Sequence, residues 1–130
     1  MKINKSTLRQ IFGFLAAGIS GFILEYVIIS YFVLNFEVNA IAPRFLSFPL
    51  AVILTWYMNR RFSFDKQTPP NLAELNRFVR STALAQATNF LSYSLLLIFM
   101  PFLSALVALL IASVISINVS FFLYLKYVFK

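Results

Sequence analysis

The sequence predicts an all-α membrane protein in which four transmembrane helices form two parallel helical-hairpin repeats. Three observations predict it: an extreme apolar composition, four runs long enough to cross a bilayer, and a pattern that recurs 65 residues on. The 130 residues are 61% hydrophobic and only 12% charged, with a mean hydropathy of +0.85. Ordinary soluble domains carry roughly a quarter charged residues. A water-soluble fold of this length needs far more polar surface to cover its core. A cytosolic enzyme and a disordered tail are therefore excluded. Histidine and cysteine are both absent, which removes imidazole bases, thiol nucleophiles, disulfides and nearly all zinc sites. No metal and no cofactor are expected. The net charge of +7 points in so apolar a chain to anionic lipid headgroups rather than to nucleic acid.

A bilayer core of about 30 Å needs about 20 apolar helical residues. The first span runs from Ile11 to Leu34 and holds one acid, Glu25. The second runs from Ile41 to Met58, with Arg44 near its start. The third, Phe78 to Phe99, has Arg80 near its start, and the fourth, Phe102 to Leu125, carries no charge. A single helix from Phe78 to Leu125 would reach about 72 Å, too long for one crossing. The chain must turn at Met100-Pro101, because proline lacks the amide that continues a helix, and Pro101 suits the first turn of the next one.

The cations set the topology. Lys2, Lys5 and Arg9 precede span one; Arg60, Arg61, Lys66, Arg77 and Arg80 lie around the middle loop; Lys126 and Lys130 end the chain. Only Arg44 falls on the other side. The positive-inside rule then puts both termini and the middle loop in the cytoplasm of a cell-membrane protein. No cleavable signal peptide is expected, since the apolar run is too long and no A-x-A site follows. The stretch Gln67-Thr68-Pro69-Pro70-Asn71 reads as an exposed turn. Leu72, Leu75 and Phe78 around Glu74 and Arg77 read as an amphipathic lead-in at the interface.

The repeat shows at the hairpin ends: Arg61-Phe62-x-Phe64 against Lys126-Tyr127-x-Phe129, basic-aromatic-x-aromatic. Repeat one spans about 9–64 and repeat two about 77–129. Glu25 and Asn89 stand at matching places, and an even number of spans per unit makes the repeats parallel. Aromatic-basic clusters are also generic interface anchors.

Helical spacing gives each span a face. Gly13, Ala17, Gly21 and Glu25 share one stripe; Ser47, Ala51, Thr55 and Asn59 share another. Span three has Thr82, Gln86, Asn89 and Tyr93, and span four Ala108, Ala112, Ser116 and Ser120. Small residues let backbones approach closely, so helix packing accounts for the Ala and Ser positions. Gln86 and Asn89 read either as interhelical glue or as ligands. Glu25 lies about 13 Å below the outer end of its span, where a carboxylate must be paired, protonated or wet. Arg44 is its natural partner; both are also candidates to meet a polar headgroup, and Glu25 to carry a proton. The basic collar of Arg60, Arg61, Arg77, Arg80 and Lys126 reads either as pure topology signal or as a grip on lipid phosphate, which guanidinium holds through paired hydrogen bonds. No nucleotide loop, triad or acid pair is present, so no enzymatic activity is expected.

With these residues the chain resembles the GtrA-like membrane proteins. That family's first span has a glycine followed seven positions later by an acid, here Gly18 and Glu25. Its hairpins close with an Asn-Arg-x-aromatic-x-Phe run, here Asn59, Arg60, Phe62 and Phe64. The second copy departs, with Tyr124 and Leu125 in place of Asn-Arg. Asn89 matches a polar position of the family's second repeat. The resemblance covers about Arg9 to Phe129. It implies movement of a polyprenyl-phosphate-linked sugar to the outer leaflet for cell-surface polysaccharide decoration, beside the glycosyltransferase that makes the lipid. Substrate contacts are then expected from Glu25, Arg44, Asn59, Arg60, Arg61, Gln86, Asn89 and Lys126, with a homodimer through the Gly13/Ala17/Gly21 stripe. The rival readings are a non-transporting anchor that recruits the glycosyltransferase and a small multidrug-type exporter built around Glu25.

Overall fold

The computed structural model describes residues 4–39 and 41–129. Two of the topology cations, Lys2 and Lys130, lie outside the described residues. Among the described residues the regular structure is all helical, with no strand. Four α-helices follow one another: α1 Lys5–Phe36, α2 Arg44–Met58, α3 Leu72–Phe99 and α4 Ala105–Leu123. The chain divides into two compact units, Met1–Pro69 and Pro70–Lys130, each a helical hairpin.

In the first hairpin α1 begins six residues earlier than its apolar run. The Asn4 side chain accepts the Thr7 amide at 2.8 Å and caps the helix, supplying a partner for one orphan N–H of the first turn. The helix ends at Glu37, which takes left-handed geometry at φ 52°. Asn39 Oδ1 then accepts the amides of Ile41 and Ala42, both at 3.0 Å, an Asx-type turn that precedes α2. The second span is accordingly shorter than its sequence pattern: α2 starts at Arg44, after the buried Pro43. Its 15 α-helical residues cover roughly 22 Å at 1.5 Å each. Among the described residues three helices are long and apolar enough to cross a membrane, Lys5–Phe36, Leu72–Phe99 and Ala105–Val128, the last counting the turn that continues α4.

Each hairpin closes with a five-residue π-helical turn, Asn59–Ser63 after α2 and Tyr124–Val128 after α4. The Phe64 amide donates to the Asn59 carbonyl and the Phe129 amide to the Tyr124 carbonyl, each at 2.9 Å. Such i to i+5 turns are rare and widen the helix locally. In the first hairpin the widened turn lays Ser63 on α1, where its hydroxyl donates to the Gln10 carbonyl at 2.6 Å. A Cβ on Gly13 would stand 2.6 Å from Ser63 Cα, so only glycine admits this approach.

In the second hairpin Asn71 caps α3 by accepting the Glu74 amide at 2.8 Å. The lead-in is continuous with α3, and its burial differs from the amphipathic expectation: Glu74 and Phe78 are buried while Leu72 is exposed. Phe78 stacks on Tyr124 with centroids 4.6 Å apart, and Phe129 packs edge-on to Tyr124. The turn at Met100 is where the sequence places it, but Pro101 lies in the connection; Ser104 caps α4 instead, accepting the Val107 amide at 3.2 Å.

Both hairpins are built with small residues between the helices and large ones outside. Ala17, Gly21, Ser47 and Ala51 are buried in the first, and Ser81, Ala85, Ala108 and Ala112 in the second. Phe22, Phe45, Phe90 and Phe102 face outward. That is the arrangement expected when the surrounding solvent is hydrocarbon.

The Gly13/Ala17/Gly21 stripe, expected to carry a homodimer, is occupied within its own hairpin: Ala17 and Gly21 are buried on α2 and Gly13 lies on Ser63. Gly18, by contrast, has no atom within 4 Å of the place a Cβ would take. Gly13→Val should lower stability by about 1–3 kcal/mol through overpacking, whereas Gly18→Ala should be neutral or raise it by up to about 1 kcal/mol through helix propensity. Unfolding of the two variants in mixed micelles, followed by circular dichroism, checks both.

Candidate functional site

Glu25 and Arg44 are brought together at the loop end of the first hairpin. Arg44 Nη2 lies 3.9 Å from Glu25 Oε1, an ion pair longer than a hydrogen bond. Arg44 is 59% exposed at its side chain and Glu25 23%, yet Glu25 Oε1 itself is buried and accepts no hydrogen bond. The two charges border a cavity of about 450 Å³ with Phe22, Tyr26, Ile29 and Ser30. Positions 22, 25, 26, 29 and 30 form one face of α1, so helical spacing from Glu25 is the signal that finds Tyr26, Ser30 and Phe22 as neighbours.

Asn59, Arg60 and Arg61 stand at the opposite end of α2 from Arg44, roughly 22 Å along the helix, and do not line the Glu25 cavity. Arg60 is also not a rim cation. It is buried; its guanidinium donates to the Lys66 carbonyl at 3.3 Å and to Thr68 Oγ1 at 3.0 Å, and its own carbonyl accepts the Lys66 amide at 2.8 Å. These bonds tie down the segment after the π turn. Asn59 is buried too, donating to the Thr55 carbonyl at 2.8 Å while its Oδ1 has no hydrogen-bond partner. Arg61 is exposed. Arg9 pairs with Asp65 at 3.0 Å and donates to the Phe62 carbonyl at 3.2 Å, fastening the start of α1 to the same segment.

In the second hairpin Asn89 donates to Ser113 on α4 at 3.4 Å, a weak interhelical bond. Gln86 is exposed, because Ala85 beside it holds the buried position. Lys126 and Arg80 are exposed, while Arg77 is half-buried and donates to the Val128 carbonyl at 3.5 Å. Thr82 shares a 2.7 Å hydrogen bond with the Tyr124 hydroxyl. Among the described residues no group of acids, histidines or cysteines is placed to hold a metal.

This geometry defines a class: a small multi-pass α-helical membrane protein whose polar chemistry sits on an ion pair between the two helices of its first hairpin. Comparison with known families then identifies the chain. It belongs to the GtrA/DPMS transmembrane-domain family, whose model matches residues 13–129. That family supports a membrane protein of lipid-linked sugar processing. Among curated proteins no match was found.

Arg60 is thus read as a fastening for its hairpin. Arg60→Ala should speed tryptic cleavage after Lys66 by roughly 3- to 10-fold, since it frees the segment Arg60 holds. Arg61→Ala should leave that rate unchanged. Mass spectrometry of timed digests in micelles measures both.

Proposed function

We propose that this protein translocates a polyprenyl-phosphate-linked sugar across the cytoplasmic membrane for decoration of a cell-surface polymer. The observation that carries the reading is the Glu25–Arg44 pair. Two opposite charges hang 3.9 Å apart beside an open cavity, and Glu25 sits on a helix apolar enough to span a bilayer. Charged side chains within a membrane-spanning hairpin are costly and mark substrate paths, so a pair kept there at longer than bonding distance suits a polar cargo. The cargo has an anionic phosphate, a hydroxyl-rich sugar and an apolar tail, and each finds a matching surface in this hairpin.

The two hairpins are read as parallel repeats of about 9–64 and 77–129. Buried Pro43, Ser47, Ala51, Asn59 and Ser63 recur 65 residues later as buried Ala108, Ala112, Ser116, Tyr124 and Val128. The π turns recur at the same interval. Both termini and the middle loop are assigned to the cytoplasm by their cations. The partner is the glycosyltransferase that makes the lipid-linked sugar, and the protein itself performs no covalent chemistry. One observation favours a second reading, recruitment of that enzyme without transport: Arg61, Arg80 and Lys126 are each exposed and able to meet an acidic protein surface.

The test is movement of a radiolabelled polyprenyl-phosphate sugar into liposomes holding the purified chain. The parent should exceed empty vesicles, and Glu25→Ala should lower the rate at least ~10-fold, since it removes one of the two charges that border the cavity. In cells, Glu25→Ala with unchanged polymer decoration would favour recruitment instead.

A further inference from the structure

Arg44 lines two cavities of opposite character. On one side is the cavity of about 450 Å³ with Glu25, Tyr26 and Ser30. On the other is one of about 300 Å³ bordered by Ile41, Phe45, Phe48 and Pro49, residues among which Arg44 supplies the polar side chain. Both cavities lie within the first hairpin. Pro49 helps make the second, since a proline inside α2 withdraws an amide and leaves its ring at the helix surface. Phe45 is 83% exposed, so a wide aromatic face stands beside the guanidinium.

We infer that Arg44 is the phosphate anchor of a bipartite amphiphile site, with the ligand's polar head beside Glu25, Tyr26 and Ser30 and its hydrocarbon chain along Phe45, Phe48 and Pro49. The inference deepens the translocation reading and rests on it for the identity of the ligand, though not for the existence of the site. A guanidinium suits a phosphate because it offers several coplanar donors, and 59% exposure of Arg44 leaves donors for an incoming oxyanion. Glu25 keeps the place of that oxyanion. Its Oε1 is held near Arg44 by charge alone, at 3.9 Å and with no hydrogen bond, so a phosphate at bonding distance displaces it. Tyr26 offers a half-open ring and a hydroxyl to a sugar. The charged or titratable groups that border the cavity are Glu25 and Tyr26 from α1 and Arg44 from α2.

The chemistry requires a phosphate joined to a chain, and neither part alone. Equilibrium binding to the full-length chain in non-ionic micelles is measured with farnesyl phosphate, farnesol and inorganic phosphate. Farnesyl phosphate should bind at least ~10-fold more tightly than either of the others. Arg44→Gln should weaken farnesyl phosphate at least ~10-fold, and Arg44→Lys should recover part of that loss, which separates the missing charge from a misfolded chain. Phe48→Ala should weaken farnesyl phosphate by ~3-fold or more through lost apolar contact without altering inorganic phosphate. Glu25→Gln should tighten farnesyl phosphate by a few-fold, since it removes the competing charge. Unchanged binding in Arg44→Gln, equal binding of inorganic phosphate, or weaker binding in Glu25→Gln overturns the inference. Binding as described with no transport in liposomes would leave this site standing and remove the translocation reading; transport with binding indifferent to Arg44 would do the reverse.

Discussion

Inside a bilayer, two helices gain nothing from hiding apolar side chains against each other, because acyl chains are as apolar as leucine. Cohesion has to come from close contact, and close contact needs small side chains. The first hairpin depends on that constraint at Gly13, Ala17 and Gly21. Gly13 receives the backbone of Ser63, and a Cβ on Gly21 would meet Thr55 Cγ2 at 2.5 Å and lie 3.9 Å from Ala51 Cβ. These contacts fix the antiparallel register. One turn beyond Gly21 on α1 is Glu25, and one turn before Ala51 on α2 is Ser47, with Arg44 a further turn toward the loop. The ion pair is thus a consequence of where glycines permit the backbones to meet. The second hairpin solves the same problem with Ser81 and Ala85 opposed to Ala108, Ala112 and Ser116, and adds an aromatic stack of Phe78 on Tyr124.

The two π turns follow from the same constraint at the other end of each hairpin. A helix that continued in α geometry past Met58 would turn Ser63 away from α1. Widening by one residue brings its hydroxyl onto the Gln10 carbonyl. In the second hairpin the widened turn carries Val128 into full burial and lets its carbonyl accept from Arg77. Arg60 then holds the segment leaving the first turn, and Arg9 and Asp65 fasten it to α1.

Much of this is legible in the residues alone. The apolar runs show as helices because 20-residue hydrophobic stretches have few other fates, and the stripes show as contact faces because i to i+4 spacing is a rigid geometric rule. Glu25 with Arg44 is legible for an energetic reason: two lone charges of opposite sign near one end of adjacent spans have no better partner. What the residues do not display is which arginines are buried and which exposed. Arg60 and Arg61 are neighbours in sequence and chemically the same, and only the widened turn decides that Arg60 faces inward. The outward position of Gln86 is hidden for a similar reason. Helical spacing groups it with Asn89, but a drift of about 40° per four residues leaves Ala85 facing α4 and Gln86 facing out. The start of α2 is obscured because Ile41 and Ala42 are apolar, and hydropathy does not register that Asn39 holds their amides in a turn.

If the hairpins are copies, their differences locate the chemistry. Ala17 and Gly21 correspond to Ser81 and Ala85, and the next step along the same face sets Glu25 against Asn89. Asn89 is neutral and finds Ser113 across the helix pair at 3.4 Å, a bond worth on the order of 1 kcal/mol in a membrane. It meets a partner within its own hairpin. Glu25 is charged and leaves one oxygen without a hydrogen bond. At these matching places the two hairpins thus carry one hydrogen-bonded polar contact and one held by charge alone. A purely structural contact gains stability by becoming like Asn89 with Ser113. Retaining a carboxylate and a guanidinium at 3.9 Å beside an open cavity gives up that gain, and what it provides in exchange is a cation whose partner can be replaced.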